Sequence, residues 1–236
     1  MRAATKKPAA RRPRLRPSPA EAEPQSLTEQ AYRRLEELIV TLRLAPGASV
    51  SEAELSRRLG IGRTPIREAL QRLARERLVV ILPRRGIVVS EINALTQLRL
   101  IETRRELERL LARRAAKRAS EAERARFRAL AQGMAEAARG EDDIAFLRLD
   151  QAFNALILEA ARNEFAAGAM ALMHGLSRRY WYHHYKQVAD LPHSARLHAA
   201  VANAVADGDE VAAAEASDRL MDYIESFTRA TVDASL

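Results

Sequence analysis

The stretch ELSRRLGIGRTPIREALQRLARERL, residues 54–78, decides the fold of the N-terminal part. An apolar helical pattern ends at Leu59, and Gly60 breaks it, because glycine enters the left-handed region cheaply. Gly62 or Thr64 can cap a second helix, and Pro65 suits a first turn, where backbone donors are free. Ile66, Ala69, Leu70, Leu73 and Ala74 then share one apolar face. Thr64, Arg67, Gln71 and Arg75 lie away from it, and Arg63 stands at the helix start. Two short helices on a tight turn, the second anchored from behind and polar in front, form a helix-turn-helix. The front carries DNA-reading chemistry. Arginine reaches guanine O6 and N7, glutamine can pair with adenine, and a threonine hydroxyl at a helix N-terminus suits phosphate.

The flanks extend this unit. Ser51 and Glu54 form a capping-box pattern that starts the first short helix. LAPGA, residues 44–48, is a turn. Before it, Leu27, Ala31, Leu35, Leu38, Ile39 and Leu42 recur at helical spacing over about 27–42, with Ser26 as the cap. On the other side, VVILPRRGIVVSEI, residues 79–92, holds two β-branched strands around Pro83, Arg84, Arg85 and Gly86. This is a hairpin with a basic tip, the wing that enters a minor groove or grips the backbone. A single arginine here would be an ordinary solvated charge; the ordered set points to DNA.

Charge divides the chain in the same place. Residues 1–94 carry a net +9 and residues 95–236 a net −1, within a total of +8. A basic first part implies a polyanion partner, and a balanced second part a different task. Residues 1–25 are basic and proline-rich, with few large apolar side chains, and read as a disordered arm. Hydrophobic content of 47% with only 5% aromatics favours helices over sheets. There is no cysteine, which fits a reducing, cytoplasmic location, and no apolar run long enough to span a membrane.

The second part reads as helices over 93–118, 120–138, 141–160, 163–187, 193–206 and 209–231, with DLPH and DGD as turns. Short connections make these an antiparallel bundle. No Gly-rich phosphate loop, nucleophile elbow or paired-histidine metalloprotease helix occurs, so nothing supports an enzyme. All five histidines, His174, His183, His184, His193 and His198, fall in one segment. The expected fold is mainly α: an N-terminal winged helix-turn-helix over 26–92, followed by an antiparallel all-α helical bundle over 93–236.

The residues from ASVSEAELSRRLGIGRTPIREAL to the RRG of the wing resemble the DNA-binding domain of GntR-type transcriptional regulators. By that resemblance Arg63, Thr64 and Arg67 match DNA-contacting positions, and Arg85–Gly86 the wing tip; Gln71 and Arg84 join them on the residue chemistry above. Two departures stand out: Gly62 replaces the usual serine or threonine cap, and Arg77 replaces a glycine. LIETRRELERLLARRAA, FLRLDQAFNALILEAARN and RLHAAVANAVADGD resemble the FCD-type ligand domain of the FadR-like subfamily. The resemblance implies a homodimeric regulator, in the expected reading a repressor. It would bind a double-stranded operator and respond to a small effector, with Arg104 facing the effector cavity. The same family often holds a divalent metal on one aspartate and three histidines. Asp150 and His198 match two of these. The third position is Asn154, and the fourth falls near Leu220, with Asp222 and Tyr223 the nearest polar candidates. A divalent metal on Asp150, His198 and Asp222 therefore rests on an incomplete ligand set. The alternative is a metal-free cavity in which Arg104, Asp150, Asn154 and His198 hold a carboxylate directly, with help from Arg178 or Arg179 or the His183–His184 pair.

Overall fold

A computed structural model of the chain describes residues 26–83, 86–188 and 190–233. The basic arm and the wing residues Arg84 and Arg85 lie outside the described residues. Within them, the N-terminal domain runs α1 (Leu27–Val40), β1 (Ser49–Val50), α2 (Glu52–Leu59), α3 (Arg63–Arg75), β2 (Val79–Leu82) and β3 (Gly86–Val89). Ser26 and Ser51 cap α1 and α2 by accepting from Glu29 and Glu54 backbone N–H groups, as their spacing predicts. Gly60 ends α2 in the left-handed region. Leu35, Ile39, Leu55, Ile66, Leu70, Leu73, Leu78 and Val89 form one dry core behind α3. Leu27 and Leu42 fall outside it. Leu27 is exposed at the first turn, and the chain leaves the helix at Thr41, so Leu42 takes φ 58°.

The hairpin is part of a three-stranded antiparallel sheet of order β1-β3-β2. Strand β1 lies between the expected turn at 44–48 and the Ser51 cap, where the sequence predicts no element; two residues are too few to show alternation, and pairing of Ser49 with Val88 and Val50 with Ile87 defines it. Helix α3 ends in a Schellman motif. Leu78 N–H donates to the Leu73 carbonyl at 2.9 Å and Arg77 N–H to that of Ala74 at 3.0 Å. Arg77 takes φ 59° there, which explains why glycine would suit this position.

The second domain is an all-α bundle of α4 (Ala94–Arg118), α5 (Glu121–Arg139), α6 (Asp143–Ala161), α7 (Glu164–Ala171), α8 (His174–Val188), α9 (Leu191–Asp207) and α10 (Glu210–Asp233). Asn93, Ser120, Asp142, Asn163 and Asp190 cap five of these helices through their side chains. Two expected boundaries move. The single helix expected over 163–187 is two helices. Leu172 and Met173 N–H groups bond to Ala169 and Met170 carbonyls, tightening the turn and redirecting the chain with no Gly or Pro to mark it. The DLPH turn is the first turn of α9, since Asp190 caps it and Pro192 needs no donor there. The core runs from Leu111 through Phe127, Met134, Phe153 and Leu156 to Val205 and Leu220.

Helix α8 belongs to both domains. Leu176 packs against the winged-helix core. Arg179 donates to the Ser90 and Glu91 carbonyls at 2.8 and 3.1 Å, on the connection between wing and bundle. A Cβ on Gly175 would stand 2.7 Å from Leu78 Cδ1, so glycine permits this close approach.

Candidate functional site

Arg63, Thr64, Arg67 and Gln71 are all exposed on the face of α3 opposite its buried residues Ile66, Ala69, Leu70 and Leu73. The structure thus brings these four expected DNA-reading residues together. Gly62 is the N-cap and supplies no side-chain bond, leaving the first-turn N–H groups open to an anion. Gly86 opens β3 at φ 94°, a backbone conformation that residues with side chains rarely adopt. One neighbour was not foreseen. Arg67 Nε and Nη2 donate to Glu52 at 2.9 and 2.7 Å, an exposed bidentate pair across the turn. The hydrogen bond to Arg67 holds the Glu52 carboxyl below its usual range. Glu52 stands one residue after the Ser51 cap, where an acid is expected for the helix dipole alone, so its second role left no signal.

The second site is a cavity inside the bundle, with about 40 Å³ open to water centres. That is room for a few waters or one small organic molecule. Helix α4 contributes Gln97 and Arg104, α6 contributes Phe146, Asp150 and Asn154, α8 contributes Ser177, Arg178 and Trp181, and α9 contributes His198. Arg104, Asp150, Asn154 and His198, expected from three separate stretches of sequence, all line it.

Its polar groups already hold one another. Asn154 Nδ2 donates to Asp150 Oδ1 at 3.0 Å, and His198 Nε2 stands 3.2 Å from the same oxygen. His198 Nδ1 lies 2.8 Å from the Ser194 carbonyl, an acceptor, and so carries a proton. Contact of Nε2 with a carboxylate then requires a second proton. Burial alone would push His198 down, but the Asp150 hydrogen bond and charge outweigh it and raise its pKa. Burial would likewise raise Asp150, yet His198 and Arg178 hold it below its usual range. The pair is a buried ion pair.

The two arginines are paired outward. Arg104 Nε donates to Glu108 at 2.8 Å, its Nη2 reaches the same oxygen, and Nη1 donates to Ser177 Oγ. Arg178 donates to Glu36 of α1 and lies 4.0 Å from Asp150 Oδ2, while its buried Nε has no hydrogen-bond partner. Glu36 also accepts from Gln151 of α6. Glu36 is 3% exposed. It follows Tyr32 and precedes Val40 at four-residue steps, and those buried neighbours were the available signal. Burial, then the Arg104 charge, pushes His174 down to about 4, so it is neutral at pH 7.

Other expected residues fall elsewhere. Asp222 is corrected: it pairs with Arg105 at 2.6 Å, with its side chain 67% exposed, and faces away from Asp150. Tyr223 donates to the Asp190 carbonyl at 3.5 Å. His183 is exposed, and Arg179 is taken up by the interdomain connection. The five histidines do not form one cluster: His174, His183 and His184 lie on α8 and His193 and His198 on α9, and the His183 and His184 rings meet edge to face with centres 4.5 Å apart.

The donor set does not fit a transition metal. Among the described residues, no three His, Asp or Glu side chains are grouped to hold one. Leu220 is a buried apolar residue, Asn154 is a neutral amide, and the free face of His198 is spent on Asp150.

Comparison with known proteins agrees with both halves. The family model for bacterial regulatory proteins of the gntR family matches residues 27–89, and that for the FCD domain matches residues 99–223. The chain is 30% identical over 191 residues to the HTH-type transcriptional repressor RspR of Escherichia coli, covering 79% of this chain and 83% of that protein. Over 62 residues the chain is 47% identical to an uncharacterized HTH-type transcriptional regulator of Streptomyces ambofaciens, covering 26% of each. The fold is shared with E. coli McbR/YncC at TM-score 0.73 and 19% identity, over 88% of this chain and 99% of that one. A putative GntR regulator from Rhodococcus sp. RHA1 superposes at TM-score 0.63 and 20% identity, over 86% and 97%. The matched families and relatives are transcriptional regulators, not enzymes.

Proposed function

Because the chain belongs to the GntR family of DNA-binding transcriptional regulators and carries an FCD effector-binding domain, we propose that it is a homodimeric repressor released from its operator by a small carboxylate. Arg63, Thr64, Arg67 and Gln71 read base edges and phosphates in the major groove, and Arg84, Arg85 and Gly86 of the wing grip the flanking backbone. Two copies would set two such helices on a pseudo-palindrome.

The observation that carries the effector reading is a buried donor without an acceptor, the Nε–H of Arg178, which lines the cavity beside the cationic Arg104 and His198. A ligand bringing carboxylate oxygens supplies what this donor lacks. Asn154 and Ser177 add orientation, and Phe146 and Trp181 provide apolar walls. No step needs a metal, whose donor set is incomplete.

The test begins with selection of the operator from random duplexes by the full chain, followed by titration of wild type, Arg63→Ala and Arg67→Ala. Each variant is expected to keep its circular dichroism spectrum and lose about 1–3 kcal/mol of discrimination between operator and random DNA. Unchanged discrimination in both would move the reading face away from α3.

A further inference from the structure

The cavity is charge-balanced before any ligand enters. Three cations, Arg104, Arg178 and His198, face three carboxylates, Glu108, Glu36 and Asp150. Adding an anionic ligand to a buried neutral cluster leaves one negative charge in excess, and burial makes that costly. The excess is relieved most simply by the departure of one resident carboxylate. Glu108 and Asp150 are built into α4 and α6 of the bundle, and moving them disrupts its core. Glu36 is different. It is carried by α1 of the DNA-binding domain and reaches Arg178 across the domain boundary. It also borders two clefts between the domains, through which water can solvate it once released.

On the reading that the cavity takes a carboxylate, we propose that Glu36, outside the cavity, is the ligand's built-in competitor for Arg178: the ligand takes Arg178 from Glu36 and so undocks helix α1 of the winged helix. Arg178 is a positioning residue placed between two claimants. Its Nη2 serves Glu36, and its Nε, without an acceptor, lies on the Asp150 side. Rotation of one guanidinium therefore exchanges a domain contact for a ligand contact. The consequence reaches the recognition helix. One turn before Glu36, the Tyr32 hydroxyl donates to Glu76 at the end of α3 at 2.9 Å, and the Arg72 guanidinium of α3 lies 3.5 Å from the Tyr32 ring centre. Close packing of Gly175 on Leu78 gives the boundary little slack, so a shift of α1 moves the winged helix as a body.

The experiment uses the full chain and two probes, acetate and malonate, titrated as sodium salts against sodium chloride controls. Trp181 is the sole tryptophan and lines the cavity, so its fluorescence reports binding. Three proteins are compared: wild type, Glu36→Gln, and Glu37→Gln. The last breaks a separate interdomain pair, Arg148–Glu37 at 2.8 Å, on the surface. The expected result is that Glu36→Gln binds the better probe at least fivefold more tightly than wild type, while Glu37→Gln stays within twofold. By reciprocity the probe weakens DNA binding by wild type and not by Glu36→Gln. Glu36→Asp keeps the charge with a shorter reach, should move affinity in the same direction by less, and serves if Glu36→Gln fails to fold. A probe that binds wild type and both Glu36 variants with equal affinity overturns the exchange and leaves the carboxylate cavity standing. No response to either probe in any protein overturns both.

Discussion

Replacing Asp150 by Asn tests the buried pair on which the cavity is built. Asn is nearly isosteric and its Oδ1 can still accept from His198 Nε2 (3.2 Å in wild type) and Asn154 Nδ2 (3.0 Å), so the perturbation is the loss of charge and the replacement of the second oxygen, 4.0 Å from Arg178, by an amide donor. Breaking one side of a buried ion pair costs about 3–5 kcal/mol. His198 can escape part of this by releasing its proton, so the cost depends on pH. In wild type the His198 pKa is raised above its usual 6.5. Its contribution is fully present below pH 6.5 and is lost as pH rises through the folded value. Asp150 is lowered from 3.8, so its contribution is present above that and is lost as pH falls through its folded value. The pair therefore stabilises the bundle most between these limits. In Asp150→Asn the sign reverses. Burial then governs His198 and depresses its pKa, so the unfolded chain binds a proton that the folded one refuses, and acid destabilises the variant. The full cost of about 3–5 kcal/mol should appear near about pH 5.5, falling to about 1–3 kcal/mol of weakened hydrogen bonding near about pH 8. For a chain of this size each kcal/mol is about 2–4 °C, giving a drop of about 6–20 °C at the lower pH. Thermal unfolding followed by far-ultraviolet circular dichroism reads this directly. Parallel curves for the two proteins across that range would mean that His198 is neutral in the native bundle, and the charge-balance reasoning would fail.

Three further outcomes are expected. Arg77→Gly relieves a side chain held at φ 59° and should stabilise the protein by about 1 kcal/mol in urea unfolding; a loss would mean that the Arg77 side chain, not its backbone, matters. Glu52→Gln frees Arg67 from its bidentate partner and should tighten operator binding a few-fold in fluorescence anisotropy, whereas unchanged or weaker binding would make Glu52 an orienting partner. Metal analysis of purified, untagged protein should find well under one divalent ion per chain, with a melt unmoved by chelator. A stoichiometric ion and a lowered melt would require ligands beyond Asp150 and His198.

Much of the chain is legible from local rules. Ser26 and Ser51 accept the N–H groups their spacing announces. Ile66, Leu70 and Leu73 fall on the buried side of α3 and Arg63, Arg67 and Gln71 on the open one, because the helical period alone sorts them. Arg77 stands out through the family resemblance as the replacement of a glycine, while its left-handed backbone is seen in the structure. Caps and helix faces depend on neighbours within about one or two helical turns, and a sequence displays those neighbours side by side. The resemblance to a known family placed Arg104, Asp150, Asn154 and His198 at one cavity, but not what each touches there.

What the tertiary structure alone decided depends on pairs far apart in the chain. Arg178 meets Glu36 across 142 residues, and Gln151 meets the same carboxylate across 115. Asp222, three residues before Glu225 on α10, turned outward to Arg105 rather than toward Asp150. The break at Leu172–Met173 comes from a tightened turn with no glycine or proline to signal it. Sequence by itself determined two domains, a reading helix, a wing and a helical bundle, since periodicity and capping energies act locally. Which charges neutralise which, and hence the link from cavity to winged helix, was set only by packing. Desolvation makes a buried charge depend on its nearest counter-charge in space, whatever their separation along the chain.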